Sequence, residues 1–217
     1  MTTYPAHATT TVRYQHVEAD GVNVFYREAR EADAPVVLLL HGFPSSSHMY
    51  RDLIPHLAKR YRVIAPDLPG FGFTEVPAQR NYRYSFDDLA KTLESFVEVL
   101  GLSRYALYVF DYGAPVGLRL AVAHPERVTA LISQNGNAYL EGLGDPALQG
   151  FFKQTQVPTL VIWGKHDPFF IPPGAQAYKR DNDNAVVEML DTGHFALETH
   201  ADYIAQRIVD VLGDAIR

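Results

Sequence analysis

The chain has 217 residues, of which 47% are hydrophobic and 20% charged. These proportions are typical of one globular domain with its own core and exclude a disordered chain. Its 19 Lys and Arg against 25 Asp and Glu give a net charge of −6. Because no basic cluster occurs, we expect neither nucleic acid nor a membrane surface as a partner. The lack of cysteine excludes disulfides, thiolate metal sites and cysteine nucleophiles.

Neither a membrane span nor a signal peptide is predicted. The longest apolar run, 34–40, is far too short to cross a bilayer. Residues 1–11 contain no basic stretch followed by an apolar one. We therefore expect a cytoplasmic protein whose residues 1–217 form a single domain.

Apolar periodicity predicts strands and helices that alternate along the chain. The first elements are an antiparallel hairpin (12–17 and 22–26), a strand (34–40), a helical stretch with Met49, Leu53, Ile54 and Leu57, and a strand (61–66). Next come a helix (84–100) capped by Ser85, a strand (105–110) and a helix to about His124. The last elements are strands at 128–133, 157–163 and 186–190 and a helix over 202–216. This order predicts a three-layer α/β core with a mostly parallel sheet, an N-terminal antiparallel hairpin and helices on both faces.

The segment 134–156 interrupts the alternation. It is rich in glycine and has little apolar periodicity. Between two core strands, this composition predicts a loop with at most one short helix.

The sequence Val109-Phe110-Asp111-Tyr112-Gly113 places a carboxylate where a strand turns into a helix. This layout is typical of a nucleophile elbow, a tight turn that exposes its central side chain above the sheet. The N-terminus of the following helix then points at that side chain. An alternative interpretation is that Asp111 only caps the helix.

Three further loops follow predicted strands. In His41-Gly42-Phe43-Pro44, backbone N–H groups can form an oxyanion hole, although a plain strand-to-helix turn has the same pattern. Asp167, after a later strand, can orient the imidazole of His194, which follows the last strand. Taken alone, Asp167 also fits an Asp-Pro turn, and His194 also fits a solvated loop residue.

Taken together, these loops occur in the chain order of the α/β-hydrolase fold. The sequence resembles that superfamily from Val12 to Leu212. Asp at the elbow, the His-Gly-Phe-Pro loop, Asp67-Leu-Pro-Gly-Phe-Gly72 and His124-Pro-Glu-Arg-Val128 look like the epoxide hydrolase and haloalkane dehalogenase branch.

The resemblance implies roles for particular residues. Asp111 would be the nucleophile, His194 the base and Asp167 its acidic partner, with the backbone N–H groups of Phe43 and Tyr112 as the oxyanion hole. The residues expected to line the substrate pocket are His41, Tyr139, Phe169 and Phe195. No metal and no organic cofactor is implied.

A carboxylate nucleophile changes the reaction that is expected. It is ionised at neutral pH without a base, and it is a weak nucleophile towards esters but can displace a halide or a strained epoxide oxygen from an sp³ carbon. The resemblance therefore implies two steps. Asp111 first forms an alkyl-enzyme ester, and water activated by His194 and Asp167 then hydrolyses it.

The sequence departs from that branch in its leaving-group contacts. Haloalkane dehalogenases usually have Trp beside the nucleophile, where this chain has Tyr112, and Trp163 is expected to be a packing residue. Epoxide hydrolases use two Tyr of a helical lid inserted after the strand that corresponds to 128–133. Only 134–156 lies there, so we expect the lid to be missing or reduced to a stub, with Tyr139 its one tyrosine.

Without a lid, an apolar patch is expected around the site, and such a patch favours self-association. Its members would be Phe43, Tyr112, Tyr139, Leu140, Phe169, Phe170 and Phe195. We expect a small apolar substrate and homodimerisation through this patch.

Two classes of function stay open. One is a hydrolase of carbon–halogen or epoxide carbon–oxygen bonds that acts through Asp111. The other is a lidless scaffold, natural or engineered, with the catalytic residues but little or no turnover. A serine esterase is not favoured, since Ser45, Ser46 and Ser47 lie outside the elbow.

Overall fold

The computed structural model describes residues 11–30, 33–137 and 146–216, without the side chains of 146–148. The strands of the described residues are β1 (Val12–Ala19), β2 (Val22–Ala29), β3 (Val36–Leu40), β4 (Arg62–Pro66), β5 (Tyr105–Phe110), β6 (Val128–Gln134), β7 (Thr159–Gly164) and β8 (Ala185–Leu190). The α-helices are α1 (Leu53–Leu57), α2 (Phe86–Val99), α3 (Gly113–Ala123), α4 (Pro146–Thr155), α5 (Pro172–Ala177) and α6 (Leu197–Leu212). Short 3₁₀ helices lie at Ser47–Tyr50, Ala78–Arg80, Pro125–Arg127 and Tyr178–Arg180.

The strands form one sheet in the order β1-β2-β4-β3-β5-β6-β7-β8. The β1–β2 hairpin is antiparallel, and β2 also pairs antiparallel with β4. From β4 through β3 to β8, every neighbouring pair is parallel. The predicted fold class is confirmed.

Strand β5 shows why the sheet lies inside the molecule. All six of its residues are buried, and alternate side chains enter two different apolar clusters. Leu107 and Val109 pack towards α2 and α3, whereas Tyr108 and Phe110 pack towards α1 and α6. A strand that is apolar on both faces therefore specifies a central position between two helical layers.

Helix α4 is the short helix that the sequence allowed within 134–156. Its Phe151 and Phe152 are buried in the same apolar cluster as the side chains of α3, so α4 is part of the core layer. No lid domain over the carboxyl edge of the sheet is formed by the described residues. No helix among these residues is long and apolar enough to span a bilayer.

The boundaries of the last helix were predicted wrongly. We expected 202–216, but α6 runs from Leu197 to Leu212 and has a kink at His200, whose φ is −132°. The apolar stripe that guided the prediction lies beyond the kink, where Ile204 and Ile208 are buried. The first turn, with buried Leu197, is a separate helical piece that periodicity alone does not reveal.

Candidate active site

The carboxyl edge of the parallel sheet brings the predicted catalytic residues together. Asp111 follows β5, Asp167 follows β7 and His194 follows β8. Parallel strands run in the same direction, so the residues that follow them meet at one edge of the sheet. All three side chains are buried or nearly so.

The turn at Asp111 has the tight geometry of an elbow. Asp111 has a φ of +48°, a left-handed conformation that costs energy in a residue with a side chain. A Cβ at Gly113 would lie 2.1 Å from the carbonyl oxygen of Leu40. Glycine at 113 therefore allows α3 to start directly against β3.

The two oxygens of the Asp111 carboxylate have different environments. Oδ1 accepts hydrogen bonds from the backbone N–H groups of Phe43, at 2.7 Å, and Tyr112, at 2.6 Å. A Cβ at Gly42 would lie 2.3 Å from the same oxygen, so the close approach of this loop requires glycine. Oδ2 instead faces Nε2 of His194 at 3.5 Å.

Asp167 holds the other side of the His194 ring. Its Oδ2 lies 2.6 Å from Nδ1 of His194, and its Oδ1 accepts from the backbone N–H groups of Phe169 at 2.8 Å and Phe170 at 3.1 Å. Burial raises the pKa of the Asp167 carboxyl, but these donors outweigh burial and leave the pKa below its usual value. Asp167 is thus held as a carboxylate that orients the imidazole.

His194 lies between two carboxylates. Burial lowers the pKa of His194, but its hydrogen bonds to Asp111 and Asp167, with their negative charges, raise the pKa to about 9. The ring of Phe170 stacks on the imidazole, with 5.3 Å between ring centroids and 14° between planes. The imidazole is therefore positively charged at neutral pH in the free protein and fixed in orientation.

Asn135, which sequence reasoning passed over, connects the turn at Asp111 to the loop that holds Asp167. Its Nδ2 donates to Oδ2 of Asp167 at 2.6 Å, and its Oδ1 accepts from the backbone N–H of Gly164 at 3.1 Å. Its carbonyl oxygen accepts from the N–H of Asp111 at 3.3 Å. Asn135 is fully buried and has a φ of +46°.

Gln134 holds the backbone of His194 in place. Its Nε2 donates to the carbonyl oxygen of His194 at 3.0 Å, and its Oε1 accepts from the hydroxyl of Tyr108 at 2.8 Å. The sequence offers one sign that Asn135 is special: an Asn directly after a predicted strand, a residue type that adopts left-handed turns. It does not reveal the hydrogen-bond partners of Gln134 and Asn135, because those partners are distant in sequence.

The placement of His41 in the substrate pocket was wrong. His41 is fully buried, and its Nε2 accepts from the backbone N–H of Leu68 at 2.9 Å. The opposite nitrogen, Nδ1, lies 3.0 Å from the carbonyl oxygen of Gly42 and donates to it. Burial lowers the pKa of His41. This neutral ring joins the oxyanion loop to the loop after β4 and has no surface for a substrate.

The aromatic residues around the triad divide into exposed and buried groups. Phe43, Tyr112, Phe169 and Phe195 are exposed, so their rings are accessible at the surface around the site. Phe170 was expected in the patch as well, but it is buried because it covers His194. Tyr139 and Leu140 lie outside the described residues.

The N–H groups of Phe43 and Tyr112, the turn at Asp111 and the Asp167–His194 pair share the sheet edge where α/β hydrolases hold their catalytic residues. The family described as alpha/beta hydrolase fold matches residues 35–155. An uncharacterized hydrolase of Saccharomyces cerevisiae is 37% identical over 277 residues, which cover 90% of this chain and 95% of the yeast protein. The chain belongs to the α/β-hydrolase family, and it is an enzyme of the hydrolase class.

Haloalkane dehalogenases are also similar to the chain. One from Psychrobacter cryohalolentis is 40% identical over 141 residues, 64% of this chain and 45% of the dehalogenase. The chain thus spans less than half the length of that relative. A crystal structure of a dehalogenase from Bradyrhizobium elkani superposes with a TM-score of 0.85, covering 94% of this chain and 99% of the other at 19% identity, a likeness of fold.

Proposed function

We propose that the chain hydrolyses carbon–halogen or epoxide carbon–oxygen bonds through a covalent alkyl ester on Asp111. The observation that carries the proposal is that the two oxygens of the Asp111 carboxylate have different partners. Oδ1 is held by two backbone N–H groups, whereas Oδ2 has no backbone donor and faces His194. A helix-capping Asp accepts from N–H groups in the first turn of the helix. The Asp111 carboxylate instead accepts from Phe43 and from Tyr112, which precedes Gly113, the first residue of α3.

In the first step, Oδ2 of Asp111 attacks an sp³ carbon of the substrate. A carbon–oxygen bond forms as the carbon–halogen or epoxide carbon–oxygen bond breaks, and the bonding electron pair leaves with the halide or the epoxide oxygen. The N–H groups of Phe43 and Tyr112 fix Oδ1, so the reacting oxygen keeps one orientation.

In the second step, His194 Nε2 takes a proton from water, and the resulting hydroxide adds to Cγ of Asp111. Negative charge then develops on Oδ1, where the N–H groups of Phe43 and Tyr112 already point. Collapse of this intermediate breaks the ester carbon–oxygen bond, and the departing alkoxide takes the proton back from His194 to leave as an alcohol. The carboxylic acid left at Asp111 then gives its proton to His194, which restores the carboxylate and the charged imidazole. Asp167 stabilises the imidazolium that forms.

The protonation state of His194 differs between the two steps. In the free protein, Asp111 and Asp167 together hold the pKa of His194 at about 9, so the ring is protonated at neutral pH. Formation of the ester removes the charge of Asp111 and with it one of the two groups that raise this pKa. His194 then releases its proton to solvent and becomes the base that the second step requires.

One finding supports an apolar small-molecule substrate, and a second supports an open site. The described side chains around Asp111 and His194 are mainly aromatic, among them Phe43, Phe169 and Phe195. The alignment with the yeast hydrolase, 277 residues long, exceeds the 217 residues of this chain by 60, so at least that many residues of the relative have no counterpart here. A missing lid leaves water in contact with the site and weakens the shaping of the pocket.

The intact mass of a His194→Ala variant tests the mechanism. Without the base, the ester forms but is not hydrolysed, so the protein gains the mass of the substrate-derived group. We would incubate the variant with a panel of bromoalkanes and epoxides and map any adduct by peptide digestion. The expected result is one adduct on Asp111 with at least one member of the panel.

Two controls make the result specific. The double variant Asp111→Asn/His194→Ala should gain no mass, and His166→Ala, which changes an exposed histidine, should accumulate no adduct. An adduct on another residue would contradict the role of Asp111. No adduct on a folded His194→Ala protein would instead support the lidless scaffold with little turnover.

A further inference from the structure

A groove of about 760 Å³ lies beside the candidate active site, between the loop after β4 and the start of α2. Phe71, Tyr84, Phe86, Leu89 and Tyr112 form its apolar walls. None of these residues belongs to the catalytic triad, and the groove is built entirely from described residues of the core.

The groove is continuous with the oxyanion hole through Tyr112. The backbone N–H of Tyr112 donates to Asp111 Oδ1 at 2.6 Å, and the ring of the same residue forms a wall of the groove. The ring of Phe43, the other residue of the oxyanion hole, lies 5.8 Å from the ring of Tyr112 and 6.3 Å from that of Phe71. A molecule bound at Asp111 therefore has an aromatic surface leading from the reacting carbon into the groove.

Tyr84 is held over the groove at a conformational cost. Its φ is +55°, a region that bulky side chains rarely adopt, yet the side chain is 55% exposed. Gly70, with a φ of +91°, makes room for it, since a Cβ there would lie 3.0 Å from Tyr84 Cε1. An exposed ring contributes little to the core, so a strained backbone that keeps it in place points to binding.

The chemistry of the lining defines the ligand. No charged side chain lines the groove. The hydroxyl of Ser85 donates to Asp88 Oδ2 at 2.7 Å and accepts from the backbone N–H of Asp88 at 3.1 Å, so its hydrogen bonds are already committed. Apart from the hydroxyls of Tyr84 and Tyr112, the remaining surface is apolar and aromatic and carries no charge, which favours an uncharged apolar group.

We infer that this groove binds the apolar tail of the substrate, so that the preferred substrates carry a long hydrocarbon or aromatic chain on the reacting carbon. The inference rests on the proposed function for the position of the reacting carbon. Burial of a longer chain against Tyr84, Phe86 and Leu89 removes more apolar surface from water and strengthens binding.

Calorimetric binding of primary alcohols, which resemble the product, tests this inference without requiring turnover. We would titrate the Asp111→Asn variant with 1-butanol, 1-hexanol and 1-octanol. Affinity is expected to rise about fourfold with each added methylene. Tyr84→Ala in the same background should flatten this dependence, while Tyr14→Ala, which removes a similarly exposed ring on β1, should leave it unchanged.

Equal affinities from 1-butanol to 1-octanol would overturn the inference, and so would an unchanged chain-length dependence in Tyr84→Ala. The outcome is independent of the covalent chemistry. Chain-length-dependent binding without any adduct on His194→Ala would retain the groove and reject the mechanism. An adduct on Asp111 together with alcohol affinities that do not depend on chain length would support the mechanism and reject the groove.

Discussion

Asn135 donates its side-chain amide to the same oxygen of Asp167 that pairs with His194, and both contacts measure 2.6 Å. Asp167 Oδ2 therefore has two donors from two different strand ends. Because the carbonyl oxygen of Asn135 also accepts from the N–H of Asp111, this one residue fixes the acid relative to the nucleophile.

Removal of the Asn135 side chain should slow hydrolysis of the ester. Asn135→Gly is the appropriate change, because glycine adopts the φ of +46° without strain. A hydrogen bond to a charged group contributes about 1.5–3 kcal/mol, so we expect the second step to be about 10- to 100-fold slower in single-turnover kinetics. The control is Asn182→Ala, which removes another fully buried amide. That amide binds Val157 and Thr159 away from the site, so its loss should not slow the second step specifically. If both variants lose stability and activity equally, Asn135 has only a structural role.

Asp111→Asn should abolish turnover without unfolding the protein. It should also lower the pKa of His194 from about 9, since one of the two carboxylates that raise this pKa loses its charge. Titration of the histidine ring signals by NMR measures the change. Asp191→Asn, which alters an exposed partner of His166, should leave the His194 signal in place. Unchanged turnover in Asp111→Asn would remove Asp111 from the mechanism.

The raised pKa of His194 predicts how stability depends on pH. The folded protein binds the proton more tightly than the unfolded chain, whose His pKa is about 6.5. The stabilisation is complete below pH 6.5 and is lost as the pH rises towards the folded-state pKa of about 9. The loss should be at most about 3 kcal/mol in the free energy of unfolding, because solvent at the open site screens part of the interaction.

Urea unfolding at pH 6.5 and pH 9.5 measures this loss in the wild type and in His194→Ala. The wild type should lose more stability than the variant over this interval. A wild type and a variant with the same pH dependence would show that His194 does not gain its proton on folding. The contribution of Asp167 to stability has the opposite pH dependence. Because its pKa is lowered in the folded protein, this contribution is present at neutral pH and is lost as the pH falls through that pKa.

The exposed aromatic residues around the site predict self-association. Phe169 is 76% exposed, and Phe43 and Phe195 are exposed as well, so dimer formation through this patch would remove apolar surface from water. Small-angle scattering over a range of concentrations should show a monomer–dimer equilibrium that Phe169→Ser weakens. Phe73→Ser, at an exposed ring beside Phe25, is the matched control. A strictly monomeric profile at every concentration would reject the dimer.

Local patterns were sufficient for the architecture and for the order of the site residues. Six consecutive apolar residues indicate strand β5, and Asp111 and Gly113 after it indicate the elbow. Both patterns are visible because they depend on short-range geometry. The wrong prediction for His41 concerns a contact between residues that are distant in sequence. His41 stands in a loop beside the oxyanion hole, and only its contact with Leu68, 27 residues away, shows that the ring points into the core.

Sequence by itself determined that Asp111, Asp167 and His194 each follow a strand of a parallel sheet, because strand, turn and helix patterns depend on neighbouring residues. Tertiary structure alone decided which oxygen of Asp111 is held and which faces His194, why the pKa of His194 is about 9, and how Asn135 joins two loops. It also formed the groove beneath Tyr84. These properties depend on distances between residues far apart in the chain, and those distances exist only once the sheet has assembled.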